Sequence, residues 1–263
     1  MPHIRRPGAT LYFHFDRTDD APCLFFLNSL ATDRSMWDRV VAHLGSDFSV
    51  LRFDARGHGK STCETPDADI GLLVDDALAV MDAAGVEKAC LVGLSLGGLT
   101  AQAIAARHPD RVSHCVLCAT ASAFRPPEMW IDRAELALQD GTAQFEQPSM
   151  QRWFTPAFQD KEPEAAANTV AMVGATSDLG YAACCRVLAG TDLTDEIGGI
   201  ACPTLLVAGA ADAGCPPEGH ARMRDLIPGA RLDVLDPAAH MLAVERPADL
   251  AIMIRDFVTS HAR

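Results

Sequence analysis

Residues 91–100 read LVGLSLGGLT. The apolar run KACLVGL (88–94) reads as a strand, and LGGLTAQAIAAR (96–107), almost wholly small or apolar, reads as a buried helix. His108-Pro109 ends that helix, because the residue before a proline is pushed out of the α region. Between strand and helix stands one polar residue, Ser95, with Gly93 two positions before it and Gly97 two after. A turn this sharp needs small neighbours so that the two backbones can approach, and it leaves the serine strained with its hydroxyl exposed. The spacing is G-x-S-x-G in the strand–turn–helix context that a nucleophilic serine requires. The helix N-terminus also directs free N–H groups and partial positive charge at any oxyanion formed there. Ser95 is therefore a candidate nucleophile rather than part of an ordinary glycine-rich turn.

Outward from this stretch, apolar runs alternate with helical ones. CLFFLNS (23–29), FSVLRFD (48–54), RVSHCVLCAT (111–120), CPTLLVAGA (202–210) and ARLDVLD (230–236) read as further strands. They are mostly continuous rather than alternating, as strands buried on both faces of a parallel sheet should be. Helices are expected over 35–44, 70–84, 216–227 and 247–260, which makes the chain an α/β fold with helices on both faces. The alternation breaks between about 124 and 190, where helix-like segments follow Arg125-Pro126-Pro127 without a clear strand. We read residues 125–190 as a helical cap inserted after about the sixth strand, in a core made of 1–124 and 191–263. Trp130 and Trp153 both fall in this cap.

A serine hydroxyl is a weak nucleophile, so a base must take its proton and an acid must orient that base. His240, in the short loop PAAHM after the strand 230–236, lies at the carboxyl end of the sheet, where ligands bind in such folds. His220 falls within a helix, His43 and His108 end surface helices, and His3 and His261 are terminal. For the acid, Asp212 follows the strand 203–209 in GAADAG, giving the chain order Ser…Asp…His. An Asp there also favours a turn on purely local grounds. The oxyanion donors expected from this arrangement are the backbone N–H of Leu96, after the nucleophile, and that of Leu30 in LNSLATD. Asn28 is expected to pin that loop.

Composition narrows the function further. The 263 residues are 49% apolar and 22% charged, with net charge −13. No basic stretch interleaved with aromatics appears, so nucleic acid is not an expected partner. No apolar run approaches the roughly 18 residues of a membrane span, and MPHIRRPGATLYF lacks the apolar region of a secretory signal. The odd number of cysteines, without paired spacing, suits reduced thiols and a cytoplasmic location. Cys115 and Cys118 lie three apart in a strand, on opposite faces, and no second pair exists, so a zinc site is not expected there. GHGKS (57–61) lacks the leading glycine of a phosphate loop, because Asp54 occupies its position. It reads as a structural turn near the site, fixed by Asp54 and Arg56.

FDARGHGKS, LVGLSLGG, TLLVAGAAD and AAHMLAVERP resemble the ordered landmark motifs of the α/β-hydrolase superfamily and span the whole chain. LNSLATDRSMWD, RWFTPAF, GYAACCRVL and the C-terminal motif are similar to those of 3-oxoadipate enol-lactonases. The resemblance implies a mostly parallel, eight-stranded sheet, a Ser95–His240–Asp212 triad and cofactor-free hydrolysis of the enol-lactone to 3-oxoadipate in aromatic degradation. That substrate carries a carboxylate, so an acidic protein must offer it a local cation. Trp130 and Arg133, three apart on one face of a cap helix, could wall the ring and bind the carboxylate. Arg152, beside Trp153, is the rival cation. A broader carboxylesterase or a cofactor-free perhydrolase would use the same triad. A non-catalytic receptor on this fold would not need all three residues, and an epoxide hydrolase or dehalogenase would need a carboxylate at position 95.

Overall fold

The computed structural model describes residues 2–260. Eight strands form one sheet: β1 (His3–Arg6), β2 (Ala9–Asp16), β3 (Cys23–Leu27), β4 (Ser49–Phe53), β5 (Ala89–Leu94), β6 (Val112–Cys118), β7 (Thr204–Gly209) and β8 (Arg231–Leu235). Their spatial order is β1-β2-β4-β3-β5-β6-β7-β8. The β1–β2 and β2–β4 pairs are antiparallel; every later pair is parallel. The six apolar runs of the sequence are β3 to β8. The other two strands, β1 and β2, were not among those runs. In β2, Ala9, Leu11 and Phe13 alternate with half-buried neighbours, the mark of a strand covered on one face only.

Helices cover the sheet as the alternation requires: α1 (Asp38–Leu44), α2 (Ile70–Ala83), α3 (Leu96–Arg107), α9 (Pro217–Leu226) and α11 (Pro247–Ser260), with a single turn, α10 (Leu242–Glu245), before the last. Asp69 caps α2 by accepting the Leu72 N–H at 2.8 Å, a direct start signal. α3 is buried along Leu96–Ala105, because its small side chains let it lie close against the strands. Strand β5 sits between β3 and β6, so the β5–α3 turn falls at the centre of the carboxyl edge of the parallel strands.

Between β6 and β7 the chain forms α4 (Pro127–Asp140), α5 (Glu146–Trp153), α6 (Pro156–Lys161), α7 (Pro163–Ala175) and α8 (Asp178–Gly190). Three of these open on proline, whose fixed φ and missing N–H cost nothing at a helix start. The two ends of this excursion meet: Ala123 bridges Asp192, the Leu193 N–H donates to the Ser122 carbonyl, and Arg125 pairs with Asp192 at 2.6 Å. The excursion is also tied to the sheet edge. The Ser177 N–H donates to the Gly57 carbonyl at 2.9 Å, and Gly57 and Gly180 pack so closely that a Cβ on either would lie 2.4 Å from the other's Cα. No helix among the described residues is long and apolar enough to cross a membrane.

Candidate active site

Ser95 joins β5 to α3 with φ 57° and ψ −114°, a conformation that costs an L-residue energy and persists only where the surroundings enforce it. They do so here. The Ser95 N–H donates to the Cys118 carbonyl at 3.0 Å, and the Thr120 hydroxyl donates to the Ser95 carbonyl at 2.7 Å. A Cβ at Gly93 would stand 2.3 Å from the Gly97 carbonyl oxygen, and one at Gly97 only 2.1 Å from that of Leu27. The two glycines are thus a packing requirement of the turn, as the sequence spacing implies.

Asp212, 3% exposed, and His240 come from the loops after β7 and β8. Two main-chain bonds couple these loops: the Ala210 N–H donates to the Leu235 carbonyl and the Ala211 N–H to that of Ala238. His240 Nδ1 lies 2.8 Å from Asp212 Oδ2, while Oδ1 accepts the N–H groups of Gly214 (2.9 Å) and Cys215 (3.0 Å). Burial works to raise the Asp212 carboxyl, but the His240 imidazole and these hydrogen bonds outweigh it and hold the acid below its usual range. An ionised Asp212 can only accept, so Nδ1 carries a proton, and in the neutral imidazole the lone pair then falls on Nε2.

Ser95, Asp212, His240, Leu30, Trp130, Arg133, Arg152 and Trp153 all line one cavity of about 270 Å³. That is just below the roughly 300–1,000 Å³ typical of ligand pockets. Leu96 is buried behind Ser95 as the first residue of α3, where helix N–H groups have no intrahelical acceptor. Across the turn, the Ala31 N–H donates to His58 Nε2 at 3.0 Å, and His58 Nδ1 donates to the Arg56 carbonyl at 2.9 Å. Full burial pushes the His58 pKa down, which keeps it neutral and able to accept. Asn28 anchors the same loop, donating to the Phe53 carbonyl (2.8 Å) and accepting the Trp37 indole N–H (3.0 Å). Asp54 accepts from the main-chain N–H groups of Arg34 and Lys60 and pairs with the Arg34 side chain at 2.6 Å. Arg56 pairs with Asp76 at 2.6 Å. The turn reading of GHGKS stands, with His58 as the residue whose role the sequence did not reveal.

The helices between β6 and β7 complete the cavity. Arg133 donates from Nε to the Tyr181 phenol at 3.0 Å and from Nη2 to the same oxygen. Its guanidinium lies 4.5 Å from the Phe145 ring centroid, and Phe145 stacks on Tyr181 at 5.0 Å. Trp130, 5.7 Å from that guanidinium, is 8% exposed, and its indole N–H has no acceptor among the described residues. Arg125, also at the cavity, pairs with Asp192. Arg133 and Arg152 pair with no carboxylate among the described residues, and Asp212 is the only acid in the lining. Sequence reading missed Tyr181 and Phe145, which hold Arg133 from α8 and from the turn before α5. It also missed Glu245. That carboxylate accepts the Ala239 N–H at 2.9 Å, beside His240, and the Thr155 hydroxyl between α5 and α6. The Met241 N–H donates to the Trp153 carbonyl at 3.0 Å, so the histidine loop and the end of α5 hold each other.

Known proteins agree with this architecture. The profile of the alpha/beta hydrolase fold family matches residues 22–247. The 3-oxoadipate enol-lactonase 1 of Acinetobacter baylyi is 32% identical over 255 residues, 97% of this chain and 95% of that protein. The 3-oxoadipate enol-lactonase 2 of the same organism is 33% identical over 228 residues, 87% of this chain and 85% of that protein. The crystal structure of an enol-lactonase from Burkholderia xenovorans superposes with a TM-score of 0.94 at 36% identity, covering 98% of this chain and all of that one. The chain belongs to the α/β-hydrolase family and is similar over nearly its whole length to enol-lactonases.

Proposed function

We propose that this hydrolase opens 3-oxoadipate enol-lactone to 3-oxoadipate through an acyl-enzyme on Ser95. The carrying observation is one small cavity that holds the strained serine, the Asp212–His240 pair and two arginines without carboxylate partners among the described residues. In a chain of net charge −13, guanidinium groups left uncompensated beside a nucleophile favour an anionic substrate. Arg133 is the better anchor for the lactone's carboxylate, because the Tyr181 phenol and the Phe145 face fix its plane in advance. Arg152 is exposed, so its guanidinium is less firmly placed. Trp130 and Trp153 flank the ring.

Ser95 Oγ attacks the lactone carbonyl carbon as His240 Nε2 takes its proton. The oxyanion is held by the N–H groups of Leu30 and Leu96, the first steadied by His58 and Asn28 on its loop. Collapse breaks the ring C–O bond and expels an enolate, which takes the proton back from His240 and ketonises. His240 then deprotonates water, which attacks the acyl carbon and frees Ser95. Asp212 holds the other imidazole proton on Nδ1 throughout, so Nε2 is the nitrogen that takes up and returns the transferred proton.

Purified protein should bleach the ultraviolet absorbance of the enol-lactone far faster than that of uncharged lactones or simple esters. Equal rates on charged and uncharged esters would favour a general carboxylesterase instead.

A further inference from the structure

Cys215 is a buried group at the site that the hydrolysis leaves unused. It ends the loop that begins at Asp212, its own N–H donating to that carboxylate, and the residue is among those that line the cavity. The Cys215 Sγ, an Asp212 carboxylate oxygen and an imidazole nitrogen of His240 all lie within 4.8 Å of one another. No other trio of His, Cys, Asp or Glu side chains converges so tightly among the described residues. Thiolate, imidazole and carboxylate together are a zinc donor set. With bonds of about 2.0–2.3 Å, tetrahedral zinc spaces its ligands roughly 3.5 Å apart, so the triangle needs only side-chain adjustment of about 1 Å.

We propose that Asp212, Cys215 and His240 form a binding site for a thiophilic divalent cation, Zn2+ foremost, and that its occupancy shuts the hydrolase down. The inhibition, though not the binding, rests on the triad reading above. The charges balance: one carboxylate, one thiolate and a neutral imidazole against two positive charges. So do the protons. Coordination uses the lone pair of Nδ1, the nitrogen facing Asp212, so the proton there moves to Nε2. The thiol proton leaves to solvent, and one proton is released per ion bound. With Nε2 protonated and Nδ1 on the metal, His240 has no lone pair for the Ser95 proton. The ion therefore abolishes turnover instead of merely weakening substrate binding.

The test uses p-nitrophenyl acetate hydrolysis in a non-chelating buffer, titrated with Zn2+, for wild type and Cys215→Ala, each relative to its own metal-free rate. Wild type should lose activity, recover it with EDTA, and be at least about tenfold more sensitive than the variant. Cys215→Ser, whose hydroxyl is a poor zinc ligand, serves if the alanine protein does not fold. A second arm needs no turnover. Co2+ added to Ser95→Ala should give a near-ultraviolet thiolate-to-cobalt band that Ser95→Ala/Cys215→Ala lacks. No band, or equal Zn2+ sensitivity with and without the thiol, would overturn the site. A thiol-dependent band without inhibition would leave the ion site standing and overturn the shutdown, and with it the role given to His240.

Discussion

His58 Nε2 accepts the main-chain N–H of Ala31, one residue beyond Leu30 and in the loop that faces Ser95. Ala31 has a positive φ of 62°, so the loop is held in a shape that its own residues do not favour. Replacing His58 by Ala leaves the Ala31 N–H and the Arg56 carbonyl without their partner inside the protein. Loss of a whole oxyanion donor costs about 10²–10³ in kcat, and a loosened loop should cost about tenfold. The expected signature is a fall in kcat with KM nearly unchanged. A fall in KM-dependent binding alone would mean that His58 shapes the pocket rather than the oxyanion donor.

Gly97 faces the Leu27 carbonyl where a Cβ would stand 2.1 Å away, and the next nearest atoms are also main chain of Leu27 and Asn28. Gly97→Ala should destabilise the fold by about 3 kcal/mol or more, since backbone cannot step aside as a flexible side chain can. Thermal or urea unfolding reads this directly. A loss under about 1 kcal/mol would show that the β5–α3 turn tolerates more room than its geometry suggests.

Tyr181 accepts both Arg133 donors, and burial pushes its phenol up, so it stays protonated. Tyr181→Phe should raise KM for the enol-lactone with kcat much less affected, because the guanidinium loses its fixed plane but not its charge. Arg133→Ala should raise KM further, by about tenfold or more, as a charge-assisted hydrogen bond is worth roughly 1.5–3 kcal/mol. If Arg152→Ala had the larger effect, the carboxylate would belong to Arg152 instead.

Asp212 is held below the usual carboxylate range when folded, so the folded chain binds its proton less readily than the unfolded chain. Its contribution to stability is present above the unfolded value of about 4 and is lost as pH falls through the lower folded value. The Tm difference between wild type and Asp212→Asn should therefore be full near neutrality and shrink below about pH 4. A difference that grew on acidification would have the wrong sign. The same variant should lose about 10⁴ in kcat through the wrong imidazole tautomer.

The elbow was legible because its chemistry and its geometry share one short stretch: Gly93, Ser95 and Gly97 are adjacent, and their spacing is their packing. Chain order and position after a strand were enough to nominate Asp212 and His240, which the structure joins at 2.8 Å. β2 escaped notice because only alternate residues are buried, leaving Leu11 and Phe13 without a continuous apolar run. His58, Tyr181 and Glu245 act on groups 27, 48 and 90 positions away in the chain, respectively Ala31, Arg133 and Thr155. No local pattern encodes such pairs. The motif AAHMLAVERP did contain Glu245 five residues after His240, a signal readable only once the loop is known to fold back on itself.

The most direct test follows the enol-lactone's ultraviolet absorbance with wild type and Ser95→Ala at equal concentration. Wild type should consume it catalytically, and Ser95→Ala should be slower by about 10⁴-fold or more, the scale set by removing a serine nucleophile. Turnover by Ser95→Ala near the wild-type rate, or an inert wild type that cleaves other esters, would contradict the account.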